Sequence, residues 1–259
     1  MDELVEEILL RLPLDSPAHL VGAALAPASA AGSARPTYSW KAAVLCASAA
    51  CDHLDCHLGG PFRVVYIGVG DDGAFSCIYS SDAAVWSKPV SIELRRFSYT
   101  KSVQSVLVGK ALYFMFHENN EVLEYDLELC QVVSVIKLPP YTNWRCVVLT
   151  TTEDGGLGFA TAIEHRLYLW SRKDGSKGDA DGWIQSRVTN LEGLLRISDV
   201  TLFAHVVGYA DGADVIFFRM GDVFFTIDIK TCKVNEVYKG THIYGIVPHM
   251  GFCTPGEFF

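Results

Sequence analysis

The sequence has no Asn-x-Ser/Thr acceptor site, no cluster of lysine and arginine, and no apolar run long enough to cross a bilayer. The first absence removes one sign of a secreted, glycosylated surface. The second removes the basic footprint that nucleic acid or an anionic membrane demands of a partner. A net charge of −9, from 21 basic and 30 acidic residues, points the same way. As for the third, Ser, Gly and Pro interrupt the alanine-rich stretch after residue 18 and Arg35 closes it, short of the roughly 20 apolar residues a spanning helix needs. Basic residues are also missing from the start of the chain. Asp2-Glu3 and Glu6-Glu7 stand where a secretory signal would carry positive charge. The expectation is an intracellular protein, of cytoplasm or nucleus, in a reducing compartment. Its eight cysteines then read as small apolar residues, most of them inside strands, rather than as a disulfide framework.

What is present is β-sequence in repeated units. Residues 103–108, 111–117, 122–127 and 131–137 are short runs rich in β-branched and aromatic residues. Gly109-Lys110, Glu118-Asn119-Asn120, the turn 128–130 and Pro139-Pro140 punctuate them. Four antiparallel strands in about forty residues is the size of one β-propeller blade. The pattern recurs. A first unit has strands at 42–48, 62–69, 74–80 and 85–92. A third has 145–150, 157–163, 167–171 and 183–188, and a fourth has 202–209, 215–220, 223–229 and 233–238. Residues 243–247 resemble the first strand of a further unit. Tyr79-Ser80-Ser81-Asp82, Tyr125-Asp126-Leu127, Leu169-Trp170-Ser171-Arg172 and Ile227-Asp228-Ile229 all end a third strand just before a turn. This shared phase favours blades over a β-sandwich, which also uses short strands at regular spacing. The expected fold is mainly β, a propeller-like array of about four four-stranded blades, closed or as an incomplete ring.

The first residues differ in character. D-E-L-V-E-E-I-L-L-R-L over residues 2–12 sets Leu4, Val5, Ile8, Leu9 and Leu12 on one helical face, with acids early, Arg11 late, and Pro13 as the stop. Asp15-Ser16-Pro17 offers a cap and first-turn proline for a second short helix over 18–25. From Ala26 to Pro36 the composition is that of a flexible linker.

The segment Leu4-Val5-Glu6-Glu7-Ile8-Leu9-Leu10-Arg11-Leu12-Pro13, continued by Asp15-Ser16-Pro17-Ala18, resembles the first helix of an F-box, the motif that docks on the Skp adaptor of cullin–RING ubiquitin ligases. The resemblance implies that Leu4, Val5, Ile8, Leu9, Leu12 and Pro13 contact that adaptor. It stops after the second helix. The Val-Cys-Lys-x-Trp-like stretch and third helix of the family have no counterpart, so the F-box is truncated. Further along, Cys51-Asp52-His53-Leu54-Asp55-Cys56-His57, Gly60-Pro61-Phe62-Arg63-Val64-Val65, Asp154-Gly155-Gly156-Leu157-Gly158-Phe159 and Tyr168-Leu169-Trp170-Ser171-Arg172 resemble a large group of grass F-box proteins with a kelch-like or F-box-associated propeller. The implied domains are a partial F-box over 1–25, a linker over 26–40 and a propeller-like repeat domain over 41–253.

Three patterns suggest chemistry of their own. Cys51, His53, Cys56 and His57, with Cys46 nearby, are zinc-ligating types, but their spacing is not that of a standard finger and a loop of buried thiols is the favoured reading. Gly68-Val69-Gly70-Asp71-Asp72-Gly73 matches the dinucleotide fingerprint in letters. A strand follows it where a helix N-terminus is required, so it reads as a hairpin turn. Asp179-Ala180-Asp181-Gly182 starts like a calcium loop, yet its glycine comes early and no Glu closes it. No nucleophile–base pattern stands out among the eight histidines. The expectation is therefore no catalytic residue, metal or cofactor.

The resemblance implies a non-enzymatic substrate-recognition subunit of a Skp–cullin–F-box ubiquitin ligase, with the helix on the adaptor and the propeller on a target protein. A stand-alone binding scaffold with a decayed F-box is the alternative, as is an incomplete gene product. An oxidase built on a kelch-like propeller would need clustered metal ligands. Residues 49–60 and 172–182 are the loops with room for a partner.

Overall fold

The structure is a computed structural model that describes residues 37–47, 61–70, 73–93, 105–116, 120–140, 142, 146–173, 182–195, 203–210 and 213–240, with side chains from residue 40 onward. Seventeen strands and one short helix form among them. The first sheet runs β1 (Thr37–Cys46), β2 (Phe62–Gly70), β3 (Gly73–Ser80) and β4 (Val85–Trp86), with β5 (Val90–Ile92) also on β3. The second is β6 (Val106–Val108), β7 (Ala111–Phe116), β8 (Glu121–Asp126) and β9 (Gln131–Lys137). The third is β10 (Val147–Thr151), β11 (Leu157–Ile163), β12 (Arg166–Arg172) and β13 (Trp183–Asn190). Helix α1 (Leu191–Leu195) leads to the fourth, β14 (Ala204–Ala210), β15 (Val215–Met220), β16 (Val223–Asp228) and β17 (Val234–Lys239). Apart from β5, the strands of every sheet are neighbours in chain order. Each is an antiparallel meander, as the four expected units require.

Short hairpins make this possible. Glu164-His165 and Gly221-Asp222 are two-residue turns whose first residue adopts a left-handed φ, of 55° and 61°. The turn from third to fourth strand repeats more closely still. Ala84, Cys130 and Cys232 each lie four residues after the end of the third strand, with φ of 51°, 56° and 57°. Asp126 ends β8 and its Oδ1 accepts the amides of Glu128 and Leu129. Asp228 ends β16 and its Oδ1 accepts that of Thr231. In the third sheet the longer connection 173–182 replaces this turn and ends at Gly182, φ 80°.

The chain divides into two compact units, residues 1–100 with 125–133 and residues 101–124 with 134–259. In the second unit the first strands lie side by side, β10 touching β6 and β7 on one side and β14 on the other. The period of two along β10 shares its residues between neighbours. Val147 and Leu149 pack with Val106, Tyr113, Met115 and Ile136, whereas Val148 packs with Val206, Ile216 and Phe218. Burial of one such side chain contributes about 1.5–3 kcal/mol. Successive sheets joined through their first strands are not a sandwich of two faces. In the first unit Val64 and Tyr79 form a smaller cluster with Phe62 and Trp86.

Several expectations change in detail. β1 starts at Thr37, ahead of the expected residue 42, so residues 37–40 are strand where linker was expected. The single strand expected over 85–92 is two, because Pro89 has no N–H to give the ladder. Ser87 bridges the break: its amide donates to Ile78 O at 2.7 Å and its Oγ accepts the Ile78 amide at 3.0 Å. Of the five described cysteines, none in a disulfide, only Cys46 and Cys77 lie in strands. Cys130 and Cys232 occupy turns, and Cys146 precedes β10. The expected helices over 2–12 and 18–25 and the strand over 243–247 lie outside the described residues.

Candidate functional site

Polar side chains gather at the ends of the sheets and along the seams between them. Thr151, at the end of β10, donates its hydroxyl to Tyr209 OH at 2.9 Å. Tyr209, on β14, donates to Asp214 Oδ1 at 3.3 Å, and Asp214 Oδ2 pairs with Lys230 Nζ at 2.6 Å. The Asp214 hydrogen bond and charge raise the Lys230 pKa, with Glu153 and Asp228 adding smaller pulls. The Asp154 carboxyl is held below its ordinary value mainly by the Thr152 hydroxyl, and Asp228 by the Thr231 amide. These contacts shape turns and join the third sheet to the fourth. None brings an activated nucleophile to an open surface.

Two further contacts cross the same seam. Arg187 on β13 donates Nη1 to Ile229 O and Nη2 to Cys232 Sγ, the latter at 2.8 Å, so the outer strand of one sheet holds the last turn of the next. Cys146 Sγ lies 2.9 Å from His205 Nδ1. A thiol beside an imidazole is the arrangement of cysteine nucleophiles, and the sequence gives no sign of it because the residues are 59 positions apart. Cys146 is only 1% exposed, however, so no substrate reaches its sulfur from solvent. The pair joins neighbouring first strands.

In the first unit Ser76, Cys77 and Tyr125 are buried. Burial pushes the Cys77 thiol up to about 12, and raises the Tyr125 phenol too.

The candidates drawn from sequence fare differently. Gly70 pairs with Gly73 at the end of the β2–β3 hairpin, so the glycine-rich stretch joins two strands and opens no helix. Cys51, His53, Cys56 and His57 lie outside the described residues, while Cys46 is a partly buried thiol at the end of β1, outside any disulfide. Of the calcium-like stretch only Gly182 is described. Among the described residues no three His, Cys, Asp or Glu side chains gather to hold a metal, and no helix is long and apolar enough to cross a membrane. Leu4, Val5, Ile8, Leu9, Leu12 and Pro13, expected on the adaptor, lie outside the described residues.

Four consecutive four-stranded meanders define a mainly β protein of the β-propeller class, each sheet one blade. The profile of the β-propeller of F-box proteins like AT5G49610 matches residues 42–256, and the chain belongs to that family. Solved structures to which the chain shows similarity include the β-propeller domain of Cps50 (Swd1) from Myceliophteria thermophila, at 8% identity and TM-score 0.39, with 67% of this chain and 57% of that one covered. Another is U3-55K, at 9% identity and TM-score 0.37, with 67% and 48% covered. The chain thus spans about half the length of these structures. No curated protein sequence matches it.

Proposed function

We propose that the chain is a substrate-recognition subunit of a Skp–cullin–F-box ubiquitin ligase, acting in cytoplasm or nucleus. The membership of residues 42–256 in an F-box-protein propeller family carries this reading. Leu4, Val5, Ile8, Leu9, Leu12 and Pro13 of the partial F-box supply the apolar stripe for the Skp adaptor. The blades hold a target protein. The subunit itself is not an enzyme and carries no cofactor, since ubiquitin transfer belongs to other members of the complex. Tagged full-length chain should co-precipitate the cullin and RING subunits, and Leu9→Asp should lose both. Recovery of neither by the wild type would remove the ligase role.

A second reading is favoured by the linker composition of residues 26–36, where the rest of an F-box would stand. In that reading the propeller is a stand-alone protein-binding scaffold, and the cullin is absent from every precipitate.

A further inference from the structure

One end of the third sheet exposes apolar side chains that the fold holds in place. Ile163 closes β11 at 40% exposure, Leu194 on α1 is 42% exposed, and Phe203, just ahead of β14, is 55% exposed. The segments that carry Leu194 and Phe203 are tied to the Glu164-His165 turn, which follows Ile163. His165 O accepts the Leu191 amide at 2.8 Å, Glu164 O accepts the Ala204 amide at 3.0 Å, and the His165 ring stacks on Phe203 with centroids 6.2 Å apart. Helix α1 is anchored beneath by Leu191, fully buried, and by Leu195 against the core. A surface fixed in this way loses little freedom when it binds.

Two further features indicate what it receives. Gly193 lies beside Leu194, and a Cβ built there meets nothing within 4 Å, so the helix offers open backbone for close approach. Carboxylates flank the apolar side chains. Glu164 stands at a left-handed φ of 55°, a position that favours glycine or asparagine, and Glu192 lies in the first turn of the helix. Among the described residues neither has an ion-pair partner. Among the described residues Arg166 stands across the hairpin from Ile163.

We propose that this end of the third sheet is a docking surface for a short protein segment carrying an apolar side chain flanked by Lys or Arg. The apolar residue seats between Phe203, Leu194 and Ile163, over Gly193. The flanking cations meet Glu164 and Glu192, which set register and approach more than affinity. The assignment rests on the reading of the blades as a protein-binding surface and supplies the chemistry of the target.

The test is fluorescence anisotropy of a fluorescein-labelled peptide, Lys-Leu-Arg-Phe-Lys, titrated with the full chain. Glu-Leu-Glu-Phe-Glu is the charge-reversed control. Saturable binding of the basic peptide is expected, weakened about tenfold or more by Leu194→Asp and by Gly193→Trp. The Glu164→Gln/Glu192→Gln double variant should lose most of the salt sensitivity, and the control peptide should not bind. Leu194 is exposed and Gly193 faces open space, so both variants should melt with the wild type. Should one of them misfold, the other decides. Equal binding of the two peptides, no saturation, or unchanged affinity in both apolar-surface variants would overturn the assignment. So would a wild-type dimer that Leu194→Asp dissolves in sedimentation velocity, because the occupant would then be a second copy. Cullin recovery is read separately. Peptide binding without cullin recovery ends the ligase reading and leaves this surface standing, and the reverse outcome does the opposite.

Discussion

The indole N–H of Trp183 donates to the carbonyl oxygen of Lys137 at 2.9 Å, joining the first residue of β13 to the last of β9. Trp183 also meets Phe159 edge-on with centroids 4.8 Å apart, and Phe159 stacks on Trp170 at 5.7 Å. One side chain thus fills the seam between second and third sheets and closes its outer edge. Trp183→Phe keeps most of the packing and loses the hydrogen bond, a cost of about 1 kcal/mol. Trp183→Ala opens a cavity and should cost about 3–5 kcal/mol. Urea unfolding followed by far-UV circular dichroism measures both. No cost for Trp183→Phe would deny the hydrogen bond a separate role, and equal costs would deny one to the packing.

Backbone geometry gives an opposed pair of substitutions. A Cβ on Gly158 would lie 2.8 Å from Thr150 Oγ1 and 2.8 Å from the Trp170 carbonyl oxygen, which cannot rotate away. Gly158→Ala should therefore destabilise by about 1–3 kcal/mol. Ala84 is exposed at φ 51°, so Ala84→Gly should stabilise by up to about 1 kcal/mol. Thermal melts of the two variants should move in opposite directions.

At acid pH the turn carboxylates matter. Thr152 holds Asp154, and the Thr231 amide holds Asp228, below the ordinary value of 3.8. A depressed pKa stabilises the fold above the unfolded value and is lost as pH falls through the folded one, so the window lies below about pH 4. The Asp154→Asn/Asp228→Asn variant should show a flatter fall of melting temperature in that window. An unchanged slope would contradict the assignment.

At alkaline pH the sign reverses. Burial raises the Cys77 thiol from 9.0 to about 12 and moves the Tyr125 phenol upward from 10.0. Both stay neutral in the fold after they would ionise in the unfolded chain. Their contribution is complete below pH 9 and is lost as pH rises toward 12. A Cys77→Val/Tyr125→Phe variant should lose less stability than the wild type over that rise. Iodoacetamide at mildly alkaline pH should label exposed Cys130 and spare Cys77 in the native chain.

The repeat was legible because its punctuation is chemical. Gly109-Lys110, Glu164-His165 and Gly221-Asp222 all fall at turns, and the strands expected at 131–137, 157–163 and 215–220 carry those bounds. In the second and fourth sheets the motif ending the third strand has a physical basis in Asp126 and Asp228, whose carboxylates hold the following turn. Other features were harder to see. Pro89 marks the break between β4 and β5, but the apolar residues on both sides read as one strand. Helix α1 is five residues long, too short for a periodic signal, although Asn190 Oδ1 accepts the Glu192 amide as a cap would. Cys146 with His205, and His165 with Phe203, are brought together by sheet order and connections, which no local pattern encodes.

Adaptor affinity tests the central claim most directly. Purified full-length chain, titrated into a Skp-type adaptor in a calorimeter, should give saturable one-to-one binding that Leu9→Asp abolishes. No heat of binding from the wild type, or the same affinity in Leu9→Asp, would contradict the account.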